Sequence, residues 1–278
     1  MTFYSYLHCI CFCIAFFLLV VSIYRQPKSK IHQLLALAFA SVGIWSFSRI
    51  FIQNPHTSLE LAKFMLNIGL TAIIPFNALI LLIILFFTNK KKNIYNIFFL
   101  LTLSAIPVII VIAQWWSNEL IGNLQKTYYG WSVIWNKNIW FYLFSAYYIL
   151  TIVFSIFLLI FYLHTRKKQK NKKYARFLLL TTIIIIFIST LNDLFLTRSY
   201  SLNIPSLANI YLLIMLSVFL YIFENTQLER LKPASLAYKI IESISDSIIL
   251  TDTMGRILTV NSPLLKLLNY SENEIIGK

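Results

Sequence analysis

Two side chains of opposite charge, Arg49 and Asp193, interrupt long apolar stretches of the sequence. Each lies about one helical turn from the end of its stretch, and both ends fall on the same side of a membrane if the stretches span it. A charge within hydrocarbon is costly and usually faces protein or water. The pattern predicts either an ion pair or two independent side chains, with Arg49 reaching lipid headgroups and Asp193 reaching water. Both residues are candidates for binding a signal.

A second group of candidate residues is aromatic and lies between residues 115 and 139. The group comprises Trp115, Trp116, Tyr128, Tyr129, Trp131 and Trp135. Aromatic side chains often form a belt at the headgroup level of a membrane. They also line pockets, where ring faces meet a small ligand. Both interpretations are open, and a lid over a pocket would make Tyr128 and Trp131 ligand contacts. The sequence does not identify that ligand.

The sequence does not indicate metal or nucleophilic chemistry. Its four histidines are isolated, without the H-x-x-x-H spacing of a helical metal site. Three cysteines occur at alternate positions, which scatters them around a helix: Cys9, Cys11 and Cys13. With only six glycines, the chain offers no glycine-rich phosphate loop. We expect no metal site and no catalytic residue in this chain, and any cofactor is unknown.

The elements that position these residues are membrane helices. The chain has 278 residues, of which 59% are hydrophobic and 12% charged, against about 25% charged in a soluble domain. A span needs about 20 apolar residues. Pro75 and Pro107 fall within spans and should kink them. Seven stretches are long enough, at about 4–24, 33–52, 64–88, 94–114, 140–163, 177–197 and 207–224.

The basic residues indicate how the spans are oriented. Lysine and arginine are concentrated in three alternate loops, at 25–32, 89–93 and 164–176. The positive-inside rule places these loops in the cytoplasm. The N-terminus is then outside and the C-terminus inside, in a multi-pass membrane protein. The net charge of +14 reflects this topology and contact with membrane lipids, so we do not expect nucleic-acid binding.

The C-terminal residues predict a connector followed by a soluble domain. Residues 226–240 are polar and helix-prone, and Pro233 makes them either a hinge or a simple helix end. Two short strands follow, around a turn that contains Asp252 and Gly255. Asn261 is a suitable N-cap for a short helix, and a capping box is expected at Ser271.

The sequence "IIESISDSIILTDTMGRILTVNSPLLKLLNYSENEIIGK" resembles the start of a PAS sensor domain. Asn269 replaces the usual glycine of that pattern. A PAS fold has a five-stranded antiparallel sheet, so the resemblance implies an incomplete PAS start at 241–278. The matching positions include Asp246, Asp252, Gly255, Arg256, Ile257, Val260, Asn261, Leu268, Tyr270, Glu274, Ile276 and Gly277.

The seven spans, the long 115–139 loop and the direct run into PAS resemble the N-terminal seven-helix region of bacterial sensor histidine kinases. The fold expected is a mainly α, polytopic seven-helix membrane bundle at 1–225, then the connector and the start of an α+β PAS domain. The resemblance implies an input module that detects an external or in-membrane signal and relays it through span seven to a PAS and output domain. It also implies a homodimer, a small-molecule signal and, for a complete kinase of a two-component system, a response regulator. The alternative is a small-molecule transporter.

Overall fold

The computed structural model describes residues 2–88, 97–165, 169–191, 205–230 and 241–277. The chain divides into two compact units, Met1–Tyr221 and Ile222–Lys278. The first contains the membrane helices up to Tyr221, and the second contains the remainder of the last membrane helix together with the PAS-like residues.

Within the described residues, eight helices lie at the positions of the seven predicted spans, because one span is broken near its middle. Five helical segments among the described residues are long and apolar enough to cross a membrane. Two further helices, α5 and α7, lie at the positions of the other two predicted spans. The helices are α1 (Phe3–Arg25), α2 (Lys30–Ile52), α3 (Leu59–Ile73), α4 (Phe76–Thr88), α5 (Ile97–Ser117), α6 (Ile139–Thr165), α7 (Gln169–Leu191) and α8 (Ala208–Arg230).

The two prolines have different effects on their helices. Pro75 separates α3 from α4, although the pair still forms one continuous apolar segment, Leu59–Thr88, of 30 residues. Pro107 lies inside α5 without ending it. A proline removes one hydrogen bond from a helix ladder, and neighbouring helices compensate within a membrane bundle.

Small residues allow the helices of the bundle to approach closely. Gly43 of α2 packs against Ala15 of α1. A Cβ atom placed at residue 43 would lie 3.6 Å from the Ala15 Cβ. Gly69 of α3 packs more tightly, against Trp45 and Ser48 of α2. Close backbone approach through small residues is a common way for membrane helices to associate. Many large apolar side chains of α1 and α6 point outwards, as expected of lipid-facing surfaces.

Gly69 and Gly43 provide a matched pair for testing this packing. A Cβ at residue 69 would lie 2.8 Å from the Trp45 ring, closer than real Cβ contacts allow. We expect Gly69→Ala to lower the free energy of unfolding by about 1–3 kcal/mol, because α2 and α3 must separate. Gly43→Ala meets only ordinary contacts and should be neutral or slightly stabilising. Unfolding titrations in detergent check both, and equal effects would contradict this account of the α2–α3 contact.

The segment between α5 and α6 folds into a β-hairpin, which sequence analysis did not predict. Strand β1 (Ile121–Thr127) pairs with strand β2 (Gly130–Trp135) in an antiparallel ladder. Two residues connect the strands, and Gly130 takes a positive φ of 128°. Such a φ is accessible to glycine at little cost. Trp115 and Trp116 belong instead to the last turn of α5.

The second unit contains the predicted strand-turn-strand and helices. Strand β3 (Ile249–Thr251) pairs with β4 (Ile257–Val260), followed by α9 (Ser262–Leu268) and α10 (Glu272–Ile275). The Asp252 carboxylate accepts hydrogen bonds from the Met254 and Arg256 amides, at 2.9 and 2.8 Å. Gly255 has a φ of 81° in this turn. The turn therefore forms as its residue types predict.

Candidate functional site

A cavity of about 770 Å³ lies at the hairpin end of the seven-helix bundle. Its volume is within the roughly 300–1,000 Å³ range typical of small-molecule sites. The C-terminal part of α2, the helices α3 and α6, the start of α8 and strand β2 contribute to its walls. We call it the hairpin cavity.

The walls of the hairpin cavity are mainly aromatic and aliphatic, with a few polar groups. Among the described lining residues, the charged ones are Arg49 and Lys137, and both are cationic. Uncharged polar side chains come from Gln53, Asn77 and several serines. The principal apolar lining residues are Trp45, Leu66, Leu70, Phe76, Tyr129, Trp131, Val133, Trp135, Phe141, Phe144, Tyr148 and Leu212. Apolar walls with a few polar groups are typical of small-molecule sites.

The hairpin, which forms one wall of the cavity, is attached to the helices by hydrogen bonds. The Trp131 indole donates to the Thr57 carbonyl in the loop after α2, at 2.9 Å. The buried Gln114 of α5 accepts from the Leu120 and Ile121 amides, at 3.0 and 2.9 Å. Leu120 and Ile121 also belong to a core cluster with Trp45, Leu66 and Ile110. The hairpin is thus a packed part of the unit.

The hairpin turn fits against the end of α2. A Cβ at Gly130 would lie 2.8 Å from the Asn54 nitrogen and from the Gln53 carbonyl carbon. A glycine is therefore required both by its positive φ and by the close backbone approach. Beside it, Tyr129 is buried and makes an edge contact with Tyr4 of α1, at 6.2 Å between ring centroids. The turn contacts the ends of two helices at once.

A buried chain of hydrogen bonds connects the cavity wall to α8. Asn209 of α8 donates from Nδ2 to His8 Nδ1 at 2.7 Å and to Ser46 Oγ at 2.9 Å. Because His8 Nδ1 accepts, the neutral ring carries its proton on Nε2. That nitrogen donates to Gln53 Oε1 at 2.7 Å. His8, Ser46, Gln53 and Asn209 are all buried, so each replaces lost water with these partners. We call these four residues the polar junction.

The N-terminus of α1 is also tied to Gln53. The hydroxyls of Thr2 and Ser5 donate to the Gln53 carbonyl, at 2.7 and 2.8 Å. Thr2 is the N-cap of α1 and accepts from the Ser5 amide. The carbonyl oxygens at the end of a helix have no intrahelical partners. The two hydroxyls therefore satisfy the end of α2 and fix α1 beside it.

The residues predicted from sequence have different positions relative to the cavity. Arg49 and Trp131 line it, and the Arg49 guanidinium lies over the Trp45 ring at 4.5 Å from its centroid. Tyr128 is 62% exposed at the hairpin turn, and its neighbour Tyr129 is the lining residue. The pKa of Tyr128 is raised above its ordinary value of 10.0, mainly by partial desolvation and to a smaller extent by the nearby Tyr4 and Tyr129. Asp193 and Pro233 lie outside the described residues, so the ion pair and the hinge remain predictions.

The polar junction was missed by sequence analysis, which grouped His8 with the isolated histidines. The available signal was a histidine placed inside an apolar span, without a visible partner. Its partners are 45 and 201 residues away in the chain. No group of His, Cys, Asp or Glu among the described residues is arranged to hold a metal. The three cysteines of α1 are free.

In the second unit, Asn261 connects three segments. Its Oδ1 atom accepts from the Ile248 amide at 2.9 Å and caps α9 through the Leu264 amide at 3.3 Å. Its Nδ2 atom donates to the Asp246 carbonyl at 2.7 Å. Asn269 adopts a left-handed φ of 53°. Asparagine tolerates this conformation better than most residues, so it can replace the glycine of the PAS pattern. Ser271 and Glu274 form the predicted capping box.

Asn261 gives a prediction with an internal control. Asn261→Ala removes the cap and the donated bonds from a fully buried position, and should destabilise the second unit by about 2–4 kcal/mol. Asn261→Asp keeps the capping oxygen but loses the amide donor, so its effect should be about half as large. Hydrogen exchange of the β3–β4 amides measures both. An alanine variant with unchanged exchange would contradict this role.

Comparison with known proteins gives two matches. A family model described as the N-terminal 7TM region of histidine kinase matches residues 7–233. A PAS fold model matches residues 237–278. No curated protein matches the chain.

Proposed function

The chain belongs to the family of N-terminal 7TM regions of histidine kinases, and on that premise we propose that the hairpin cavity receives a small-molecule signal that α8 passes towards the PAS residues. The two family matches identify the chain as a membrane-embedded, multi-pass input module of a signalling protein. The family match does not favour the transporter alternative.

The proposed orientation puts the hairpin cavity outside the cell. The basic loops at 25–32, 89–93 and 164–176 lie on the side opposite the hairpin in the order of spans. The positive-inside rule assigns those loops to the cytoplasm, together with the residues that follow α8. In this arrangement the cavity is accessible to external molecules and the PAS residues to an output module. The membrane is the inner membrane of a bacterium.

The observation that carries the proposal is the polar junction. Gln53 lines the hairpin cavity and accepts a hydrogen bond from His8, and His8 accepts one from Asn209 in the first turn of α8. Two side-chain contacts therefore separate the cavity wall from the last helix. A ligand that displaced Gln53 would change the hydrogen bonding of α8 through buried side chains alone. A ligand shifts an equilibrium only when it binds one state better than the other, and in this proposal the two states differ in whether the Gln53–His8 hydrogen bond is made.

We propose that residues 226–240, which begin within the last turns of α8, couple helix movement to output in a homodimer. The partner of the output module is a response regulator, as for histidine kinases in general. Membrane lipids surround the bundle. This relay is the part of the proposal that separates a receptor from a simple anchor.

Connector length tests the relay in a receptor that carries this region joined to a kinase. Inserting one or two residues after Glu229 rotates everything that follows, whereas about seven residues restore the helical phase. We expect the short insertions to abolish or invert the kinase response, and the longer insertion to restore it. Kinase autophosphorylation in membranes is the readout. A response that ignores insertion length would show that the connector is only a tether.

A further inference from the structure

We propose that the ligand of the hairpin cavity carries a slender, unbranched apolar extension, and that this extension enters a crevice between α4, α6, α7 and α8. The proposal rests on the proposed function of the hairpin cavity and specifies the shape of its ligand. It is derived from a second, smaller cavity beside the first and from the side chains that line it.

The crevice has a volume of about 40 Å³ and adjoins the hairpin cavity, because five residues line both: Phe76, Asn77, Tyr148, Ser189 and Leu212. Along α6, the last residue that lines only the hairpin cavity is Phe144, whereas Thr151 and Ser155 line the crevice. They lie about two to three turns farther from the hairpin. The crevice therefore extends the hairpin cavity along the bundle, away from the hairpin.

Short side chains line the crevice where α6 packs against α7. Thr151 and Ser155 of α6 and Thr182 of α7 are buried there. The other residues that line only the crevice are apolar: Ile80, Ile152, Ile185, Ile186 and Met215. A water-sized group occupies about 10–15 Å³, so the crevice has room for about three such groups. A single straight chain fits this space better than a branched or ring-shaped group.

The hydroxyl groups of the crevice do not require a polar ligand. Thr151 donates to the Tyr147 carbonyl at 2.9 Å, and Ser155 donates to the Thr151 carbonyl at 2.8 Å. Thr182 donates to the Leu178 carbonyl at 2.8 Å. Each hydroxyl hydrogen thus has an acceptor four residues earlier in its own helix. A hydrocarbon chain beside these side chains would leave the three bonds intact and would add apolar contacts.

The hairpin cavity suits the wider part of the same ligand. The Trp135 ring stacks on Phe144 with centroids 5.8 Å apart, and both rings line this cavity. Aromatic walls bind ring-shaped groups through stacked or edge-on contacts. A ring in the hairpin cavity with a straight tail in the crevice would fill both spaces.

A series of para-alkylphenols, from methyl to hexyl, tests the predicted shape. The protein is placed in phosphatidylcholine nanodiscs, and binding is followed by tryptophan fluorescence, since Trp45, Trp131 and Trp135 line the hairpin cavity. Protein-free nanodiscs correct for partitioning into lipid. We expect the affinity to rise with chain length, reach a maximum and then fall. At the best length, a branched isomer with the same number of carbon atoms should bind at least about tenfold more weakly.

Variants of the crevice should move the best chain length in opposite directions. Thr182→Leu fills the crevice and should shorten it by at least one carbon, whereas Ile185→Ala enlarges the crevice and should lengthen it. Thr181→Leu is the matched control, because Thr181 also donates to its own helix but does not line the crevice. No saturable binding, equal binding of straight and branched isomers, or a best length that neither crevice variant moves would overturn the proposal.

The lipid of the nanodisc distinguishes a free ligand from a membrane lipid. Diphytanoyl phosphatidylcholine has branched tails, so its use should strengthen alkylphenol binding if a straight lipid tail otherwise occupies the crevice. Binding should be unchanged if the ligand is a free molecule, and both outcomes support a slender extension. The failure of the proposed function is distinguishable, because straight-chain binding with an insertion-insensitive connector would leave a ligand site without signalling. A phase-dependent connector without straight-chain preference would refute only the extension.

Discussion

Replacing His8 with alanine should lower the free energy of unfolding of the membrane unit by about 2–4 kcal/mol. The substitution leaves buried polar atoms of Gln53 and Asn209 without their imidazole partner and opens a cavity between α1, α2 and α8. Unfolding titrations of the detergent-solubilised chain measure this loss. His56→Ala is the matched control, because His56 is exposed in the loop after α2 and should change stability by less than about 0.5 kcal/mol.

A double-mutant cycle separates the hydrogen bond from the packing of His8. Interhelical hydrogen bonds in membrane proteins contribute about 0.6 kcal/mol on average and up to about 1.7 kcal/mol. We expect His8→Ala and Asn209→Ala to be coupled by an energy in that range, since each removes the other's partner. Purely additive effects would show that His8 contributes only its volume. The polar junction would then have no basis as a connection to α8.

Gly130→Ala should release the hairpin from the end of α2. An alanine at this positive φ would strain the backbone, at a cost of about 1–3 kcal/mol. Its Cβ would also collide with the backbone at Gln53 and Asn54. We expect hydrogen exchange of the β1–β2 amides to accelerate by about tenfold to a hundredfold or more. The cavity would lose the wall that β2 provides, although the helices would remain folded.

Gly255→Ala serves as the control for backbone strain alone. Gly255 also has a positive φ, but no atom lies within 4 Å of a Cβ placed there. Exchange of the β3–β4 amides should therefore increase less than exchange of the β1–β2 amides does in Gly130→Ala. Equal increases would mean that the hairpin turn is not seated on α2.

The helices were predictable because apolar length alone determines whether a segment can span a membrane. The turn at Asp252 was predictable for a different reason, since its hydrogen bonds are local and depend on the residue types within four positions. The capping box at Ser271 is local in the same way. In each case, the information lies within a short segment of sequence.

The hairpin and the polar junction could not be predicted in this way. The strand residues Ile121–Trp135 lie in a segment whose aromatic residues also suit a membrane belt, so composition concealed the alternation of a strand. Gln114 and Thr57, which hold the hairpin, are polar residues with no distinctive local pattern. His8 finds Asn209 only because the bundle brings the first and last helices together. Such contacts depend on packing, which a single sequence does not display.

The central claim is that the hairpin cavity and α8 are coupled through the polar junction. It can be tested with an environment-sensitive fluorophore attached to Tyr221→Cys, an exposed position of α8, after replacement of the three native cysteines. Ser132→Trp fills the cavity and takes the place of a bound ligand. Asn123→Trp adds the same side chain at an exposed hairpin position outside the lining and is the control.

The account predicts that Ser132→Trp shifts the emission of the α8 fluorophore in nanodiscs and that Asn123→Trp does not. It also predicts that adding Asn209→Leu, which removes the hydrogen bonds to His8 and Ser46, abolishes the shift caused by Ser132→Trp. A fluorophore that does not respond to cavity filling, or that responds equally with and without Asn209, would contradict the coupling.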